Sequence, residues 1–240
     1  MSRVLPILFN TEMVRAILDG RKTCTRRLVK FFSGENPRWT GYIKDGLMLY
    51  NGKNEPCIRK APYQPGDILY VRETWTEECG KYYYRADYDS DYLDPCETLS
   101  GGYPASCRNH PGCDGCMATS TRIHWHPSIH MPKRAARIWL KVTNVRVERL
   151  QEIDEDGVWD EGFRFKPPCL TRVSADGHTC DLDGPCTSSI KYCDMTMGEL
   201  FGRELWNSTI KKSDLDRHGW DANPYVWVVE FERCAKPEGV

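Results

Sequence analysis

The sequence has 240 residues, the length of one large domain or two small ones. Hydrophobic residues make up 40% and charged residues 28%, an ordinary globular composition that excludes wholesale disorder. Lys and Arg number 33 against 34 Asp and Glu. The formal net charge of −1 excludes a protein that is basic over its whole surface, although it allows a local basic patch for nucleic acid.

Signals for a membrane span or for export are not found in this sequence. The longest apolar runs, such as 68–71, are far shorter than the roughly 20 residues of a membrane-spanning helix. The apolar stretch at 4–9 is followed closely by Glu12 and Arg15, unlike a secretory signal. We therefore expect a cytoplasmic protein with no membrane partner.

The first part of the chain predicts a strand, a helix and a basic connection. Residues 4–9 favour a strand, and apolar residues at helical spacing then predict a helix that Gly20 ends. Residues 21–27 contain four cations beside threonine hydroxyls and are predicted to form a tight connection. Such a segment could bind an anion, or it could be a solvated helix end that complements the helix dipole.

Further strands and helices are predicted downstream in mixed order. A turn at 65–67 leads into a strand over 68–75, with 81–86 as its hairpin partner. Alternating apolar residues predict a long strand over 138–147, followed by a short helix near 154–161. The chain then predicts a helix opened by the capping box Thr196 to Glu199, and a last strand at 225–231.

This order of elements predicts an α+β fold built on a small β-barrel with flanking helices. We expect one domain over residues 1–240, interrupted by insertions at about 87–123 and 164–195. Both insertions are rich in Cys, Gly, Pro and Asp and poor in aliphatic residues. Neither can bury enough apolar area to fold unaided.

Each insertion carries four cysteines, which predicts structural zinc. The eight candidate ligands are Cys96, Cys107, Cys113 and Cys116 in the first insertion, and Cys169, Cys180, Cys186 and Cys193 in the second. Four thiolates close a tetrahedral zinc sphere and supply the folding free energy that these loops lack. Alternatively, the thiols are reduced and unligated, ligands are exchanged between the clusters, or His110 or His178 replaces a thiolate.

The basic connection carries the most informative pattern. Gly20-x-Lys22-x-x-Thr25-x-Arg27 resembles the G-x-K-x-x-x-x-R signature of the ASCH domain, a small β-barrel related to the PUA fold. The resemblance continues downstream in the same order, with Gly66-Asp67 before a strand. It also includes the long strand with the Glu161-Gly162 turn after it, and the closing strand at 227–231.

Two phrases, at 71–75 and 127–132, resemble a bacteriophage or prophage branch of ASCH proteins, which implies the cytoplasm of a bacterial host. PUA-like proteins cradle RNA or a modified base in a cleft. One bacterial ASCH branch hydrolyses N4-acetylcytidine with a Lys, a Thr three residues later and a distant Glu. The resemblance therefore implies that Lys22, Thr25 and Glu161 are catalytic.

Amide hydrolysis gives each of these residues a coherent role. The Thr25 hydroxyl is a weak nucleophile that needs a base within hydrogen-bond reach. Lys22 could be that base, or it could remain charged and stabilise the oxyanion, and Glu161 could pass a proton to the leaving amine.

Five further residues are predicted to contact the substrate. The guanidinium groups of Arg26 and Arg27 suit substrate oxygens. Tyr70, Trp75 or His130 could stack on the pyrimidine, and the sequence does not choose among the three.

Three functions follow from these observations. The first is hydrolysis of the amide of an N4-acylated cytidine or a related modified nucleoside, which the spacing of Lys22, Thr25 and Glu161 favours. The second is a non-catalytic PUA-like module that binds RNA, single-stranded nucleic acid or a modified base. The third is a structural phage protein that uses the zinc loops for contacts. The acyl group and the oligomeric state leave no pattern in the sequence.

Removal of metal with a chelator is expected to lower the melting temperature, because zinc would supply folding free energy to the insertions. Thermal denaturation with and without chelator measures this effect. Elemental analysis that finds less than about one zinc per chain, in protein produced with ample zinc, would contradict the prediction.

Overall fold

The computed structural model describes residues 2–31, 42–44, 48–50, 61–78, 80–89, 92–93, 121–122, 124–164 and 195–239. The strands are β1 (Val4–Leu8), β2 (Cys24–Leu28), β3 (Tyr42–Lys44), β4 (Met48–Tyr50), β5 (Ile68–Arg72), β6 (Trp75–Glu78), β7 (Lys81–Tyr84), β8 (Tyr92–Leu93), β9 (Thr121–Arg122), β10 (Trp139–Arg149) and β11 (Tyr225–Cys234). The α-helices are α1 (Thr11–Leu18), α2 (Glu155–Asp160), α3 (Met197–Leu200), α4 (Asn207–Thr209) and α5 (Leu215–His218). A π-helical segment, Phe201–Trp206, continues α3 into α4.

Five strands form one sheet in the order β1-β5-β10-β11-β2, and the remaining strands form two-stranded pairs. This mixture of sheet and helices confirms the α+β class. Among the described strands the sheet does not close into a barrel. No helix in the described ranges has both the length and the apolar character needed to cross a bilayer.

Residue contacts divide the chain into two compact units. The first unit comprises Met1–Leu18, Asp67–Lys141 and Arg233–Val240, and the second comprises Asp19–Gly66 and Val142–Glu232. The expected arrangement of one domain with two insertions stays a prediction, because most of both insertions lies outside the described residues.

In the first unit, β1 pairs in parallel with β5, and the start of β10 pairs antiparallel with β5. The strand predicted over 68–75 is divided at residue 73, and β6 rather than β5 forms the hairpin with β7. The carboxylate of Glu73, 1% exposed at this break, accepts two hydrogen bonds of 3.0 Å from the Arg137 guanidinium. Arg137 is half-buried and also pairs with Asp87, so the buried Glu73 carboxylate is connected to the surface through Arg137.

In the second unit, β2 pairs antiparallel with β11, from Leu28 opposite Val226 to Cys24 opposite Glu230. The prediction that residues 21–27 form a tight connection is therefore wrong for the part from Cys24 onward. The two arginines interrupt any apolar pattern in this short segment, and its pairing with a strand dense in Val and aromatic residues determines its structure. Gly20, with a φ of 72°, ends the preceding helix as predicted.

Two helices of the second unit begin at side-chain caps, and the cap of the second was predicted. The carboxylate of Asp154 accepts the Gly157 N–H and caps α2, and Thr196 with Glu199 forms the predicted capping box of α3. These helices cover the apolar side of the unit. The core that they share with the adjoining strand contains Leu150, Ile153, Val158, Phe201, Trp206, Trp220, Val226 and Val228.

Gly202 is the tightest point of this core. A Cβ at Gly202 would lie 2.1 Å from Cδ2 of the Trp220 ring, whose backbone N–H donates to Asn207 Oδ1. A Cβ at Gly198, in the same helical segment, would first meet the Ile153 carbonyl oxygen at 3.4 Å. The close approach of the helix to the indole therefore requires glycine at position 202.

Gly202→Ala is expected to lower the free energy of unfolding by about 1–3 kcal/mol, because the buried indole must move. Gly198→Ala is the matched control. It should change the free energy by less than about 1 kcal/mol, since alanine is the better helix former. Urea denaturation measures both variants. Equal stability of the two variants would contradict the close packing of Gly202 on Trp220.

Candidate active site

Lys22 and Glu161 form a buried ion pair. The Lys22 Nζ donates to Glu161 Oε2 at 2.5 Å and to the Glu161 carbonyl oxygen at 3.1 Å. The exposed fractions of the two side chains are 0% and 4%. The residues are 139 positions apart in the sequence, so only the fold brings them together.

Backbone contacts hold this pair in register. Lys22 and Glu161 form an isolated antiparallel bridge. Next to it, the Thr23 N–H donates to the Asp160 carbonyl oxygen at 2.8 Å, and the Thr23 hydroxyl donates to the Asp160 carboxylate at 2.9 Å. The segment before β2 is thus attached to the end of α2, where Glu161 is the C-cap residue.

Arg26 is the second cation on Glu161. Its Nη1 lies 3.4 Å from Glu161 Oε1, and its Nε and Nη2 donate to Glu148 Oε1 at 3.1 and 2.8 Å. Burial by itself lowers the pKa of Arg26, but the charges of Glu161 and Glu148 raise it above its ordinary value. The Arg26 guanidinium is therefore charged at physiological pH.

The pairing continues to the surface. Glu148 Oε2 accepts a hydrogen bond from Arg146 Nε at 3.2 Å, and Arg146 also donates to Glu230. The ion-pair chain, as we name it, runs in the order Lys22, Glu161, Arg26, Glu148, Arg146, Glu230. Charges alternate at every step, so the chain is neutral as a whole.

Cys24 lies beside the buried end of the ion-pair chain. The Arg26 Nη1 is 3.7 Å from its sulfur. Burial, with a smaller contribution from the charge of Glu161, raises the pKa of the Cys24 thiol to about 12, although Arg26 and Lys22 oppose the shift. At physiological pH a thiol with this pKa is neutral, and a neutral thiol is a weak nucleophile.

Thr25 and Arg27 lie on the other face of β2. Side chains alternate along a strand, and the pairing of β2 with β11 is regular, so Thr25 and Arg27 face away from Cys24 and Arg26. Thr25 is 2% exposed. Burial lowers the pKa of Arg27, and a smaller contribution from Tyr63 opposes this shift. The structure thus brings Lys22, Glu161 and Arg26 together, whereas the catalytic role of Thr25 stays a prediction.

The three candidate stacking residues belong to the first unit. The Trp75 ring is 8% exposed and packs 5.4 Å from the His126 ring. The half-buried Tyr70 ring lies 6.0 Å from the Trp139 ring. His130 is exposed in a 3-10 turn. Trp75 is thus mainly a core residue, and stacking of any of the three on a substrate stays a prediction.

The eight predicted zinc ligands lie outside the described residues. Within the described ranges, no group of three or more His, Cys, Asp or Glu side chains is arranged to hold a metal ion. Cys24 is buried and Cys234 is half-buried. Zinc at the two cysteine clusters therefore stays a prediction.

Sequence reasoning missed Glu148, Arg146 and the position of Cys24 beside Lys22. The residues Arg146 and Glu148 are two apart on β10, a spacing that places both on one face of a strand. This two-residue spacing of opposite charges is visible in the sequence, but it is equally typical of a strand face exposed to solvent. Only the fold identifies Arg26 as the partner of Glu148.

No family model matches the chain, and comparisons with curated proteins and with solved structures also give no match.

The buried pair makes a clear prediction for stability. Lys22→Met is expected to lower the free energy of unfolding by about 3 kcal/mol or more, because it leaves the buried Glu161 carboxylate without its closest cation. Lys22→Met combined with Glu161→Leu should recover much of this loss, but not all, because Arg26 then keeps only Glu148. Urea denaturation measures both variants. A double variant no more stable than Lys22→Met alone would contradict the pairing.

Proposed function

We propose that this protein is an amidohydrolase that acts on an N4-acylated cytidine or a related modified nucleoside. The proposal includes an ASCH domain of the bacteriophage or prophage branch, a small PUA-like barrel as the core, and the cytoplasm of a bacterial host. One observation supports it above the others. The resemblance implies that Lys22 and Glu161 are catalytic, although they are 139 positions apart in the sequence. In the structure the Lys22 Nζ lies 2.5 Å from Glu161 Oε2 in a buried site.

The chemistry needs three groups at the acyl carbon. A nucleophile adds to the carbonyl, a cation stabilises the resulting oxyanion, and an acid protonates the nitrogen of cytosine as the C–N bond breaks. The Lys22 ammonium suits the oxyanion, and Glu161 suits the transfer of a proton from the nucleophile to the leaving amine. The products are the free cytidine and the carboxylic acid, with one water consumed.

Two nucleophiles fit this scheme. The resemblance assigns Thr25, whose hydroxyl would form an acyl ester that water then hydrolyses. The second is a water molecule activated by Glu161 in a single step. The position of Thr25, on the face of β2 opposite Cys24 and Arg26, favours water. Substitution of Thr25 separates the two routes.

Binding without catalysis is the second candidate function. One observation favours it: Lys22 and Arg26 already have carboxylate partners without a substrate. In this alternative the module recognises RNA, single-stranded nucleic acid or a modified base, and the ion-pair chain only maintains the shape of the site. Arg27 then contacts the ligand.

A turnover assay tests the proposal. Purified protein is incubated with a panel of acylated cytidines and cytosines, and release of the free base or nucleoside is followed by chromatography. We expect release by the parent protein. Lys22→Ala should abolish it, and Glu161→Gln should lower kcat by about 100-fold or more, because proton transfer at the leaving amine is lost. Thr25→Val abolishes release only if Thr25 is the nucleophile.

Arg217→Lys is the matched control, because Arg217 is an exposed arginine of the second unit that pairs with Asp214. It should retain the parent rate. Circular dichroism checks that each variant is folded, which matters most for Lys22→Ala. Retained turnover in folded Lys22→Ala would reject the catalytic role of Lys22. No release by the parent protein across the whole panel would reject the amidohydrolase and leave the binding module.

A further inference from the structure

We infer that Arg26, anchored by Glu148, is a positioning residue that fixes the Glu161 carboxylate beside Lys22. The inference rests on the proposed function of the Lys22–Glu161 pair. It changes the role expected for Arg26, from contact with substrate oxygens to control of a catalytic carboxylate.

The two oxygens of the Glu161 carboxylate contact different cations. Lys22 takes one carboxylate oxygen, Oε2, while Arg26 approaches the other oxygen, Oε1. Cations on different oxygens oppose rotation of the carboxylate about its terminal bond. Glu161 therefore has one defined orientation, which a single cation would not impose.

The Arg26 guanidinium spans two carboxylates. Three of its nitrogens are engaged: Nε and Nη2 with Glu148, and Nη1 with Glu161 and with the Gly157 carbonyl oxygen at 3.4 Å. Its side chain is only 2% exposed. A planar guanidinium can span two carboxylates in this way, whereas the single ammonium of a lysine has no equivalent fork.

The absence of a side chain at Gly157 leaves room for the Arg26 guanidinium. A Cβ at Gly157 would lie 2.9 Å from Arg26 Nη2 and 3.0 Å from Asp154 Oδ1. Alanine at this position of α2 would press on Arg26 without changing any charge. Gly157→Ala is therefore expected to displace the Arg26 guanidinium while keeping its charge, so that it separates the effect of position from the effect of charge.

The kinetic test compares Arg26→Met, Arg26→Lys and Gly157→Ala with the parent protein. We expect Arg26→Met to lower kcat by about 100-fold with little change in KM, the effect of roughly 1 Å of misplacement in a catalytic group. Arg26→Lys should restore part of the loss, because it returns the charge but not the fork. Gly157→Ala should lower kcat as well.

Two control variants match these changes. Arg217→Met removes an exposed arginine of the same unit, and Gly198→Ala adds a methyl group to a helical glycine that does not contact the ion-pair chain. Both should keep the parent kcat. Should Arg26→Met fail to fold, Gly157→Ala still decides the outcome.

A second measurement does not depend on turnover. NMR of isotope-labelled lysine ammonium groups should show a signal for the buried Lys22, assigned by its loss in Lys22→Met. Displacement of Glu161 changes the hydrogen bond that Lys22 donates, so this signal should shift in Arg26→Met and in Gly157→Ala. It should not shift in Arg217→Met.

The two measurements distinguish failure of the inference from failure of the proposed function. An inactive parent protein whose Lys22 signal still responds to Arg26 rejects the amidohydrolase but retains the control of Glu161 by Arg26. An unchanged Lys22 signal in both Arg26→Met and Gly157→Ala overturns the inference. An active protein whose kcat survives both substitutions also overturns it.

Discussion

The candidate site in the second unit depends on one buried carboxylate, Glu161, which pairs with two cations. Glu161 accepts from Lys22 on one oxygen and lies beside Arg26 on the other, with all three side chains 4% exposed or less. Transfer of such charges from water to the protein interior is unfavourable, and ionic contacts offset this desolvation penalty only when each charge has well-placed partners. The rest of the site meets this condition. Glu148 accepts hydrogen bonds from Arg26, and the backbone bridge between Lys22 and Glu161 holds the pair in register.

Strand pairing, more than local preference, decides which side chains meet. Regular pairing of β2 with β11 sends Cys24 and Arg26 to one face and Thr25 and Arg27 to the other. A shift of one residue in this register would exchange the two sets. The same pairing that places Arg26 on one face therefore places the Thr25 hydroxyl on the other.

The features that could be predicted from the sequence depend on local signals or on a motif. The capping box at Thr196 and the end of the helix at Gly20 follow from local signals. The α+β class follows from the order of the predicted elements. The resemblance supplied Lys22 and Glu161 as a pair. The strand at Cys24–Leu28 was missed because it is short and basic, and because its partner lies about 200 residues away in the chain. Glu148 was missed because nothing near it in the sequence identifies Arg26.

The ion-pair chain passes from the interior to the surface, and this has a consequence for the effect of dissolved salt. Arg146 and Glu230, at its outer end, are each 38% exposed, whereas Lys22 is fully buried. Mobile ions screen exposed charges over about 8 Å at physiological ionic strength, but they screen buried pairs much less. Changes in the ionic composition of the cell would therefore weaken the outer links first, while the Lys22–Glu161 pair experiences a nearly constant field.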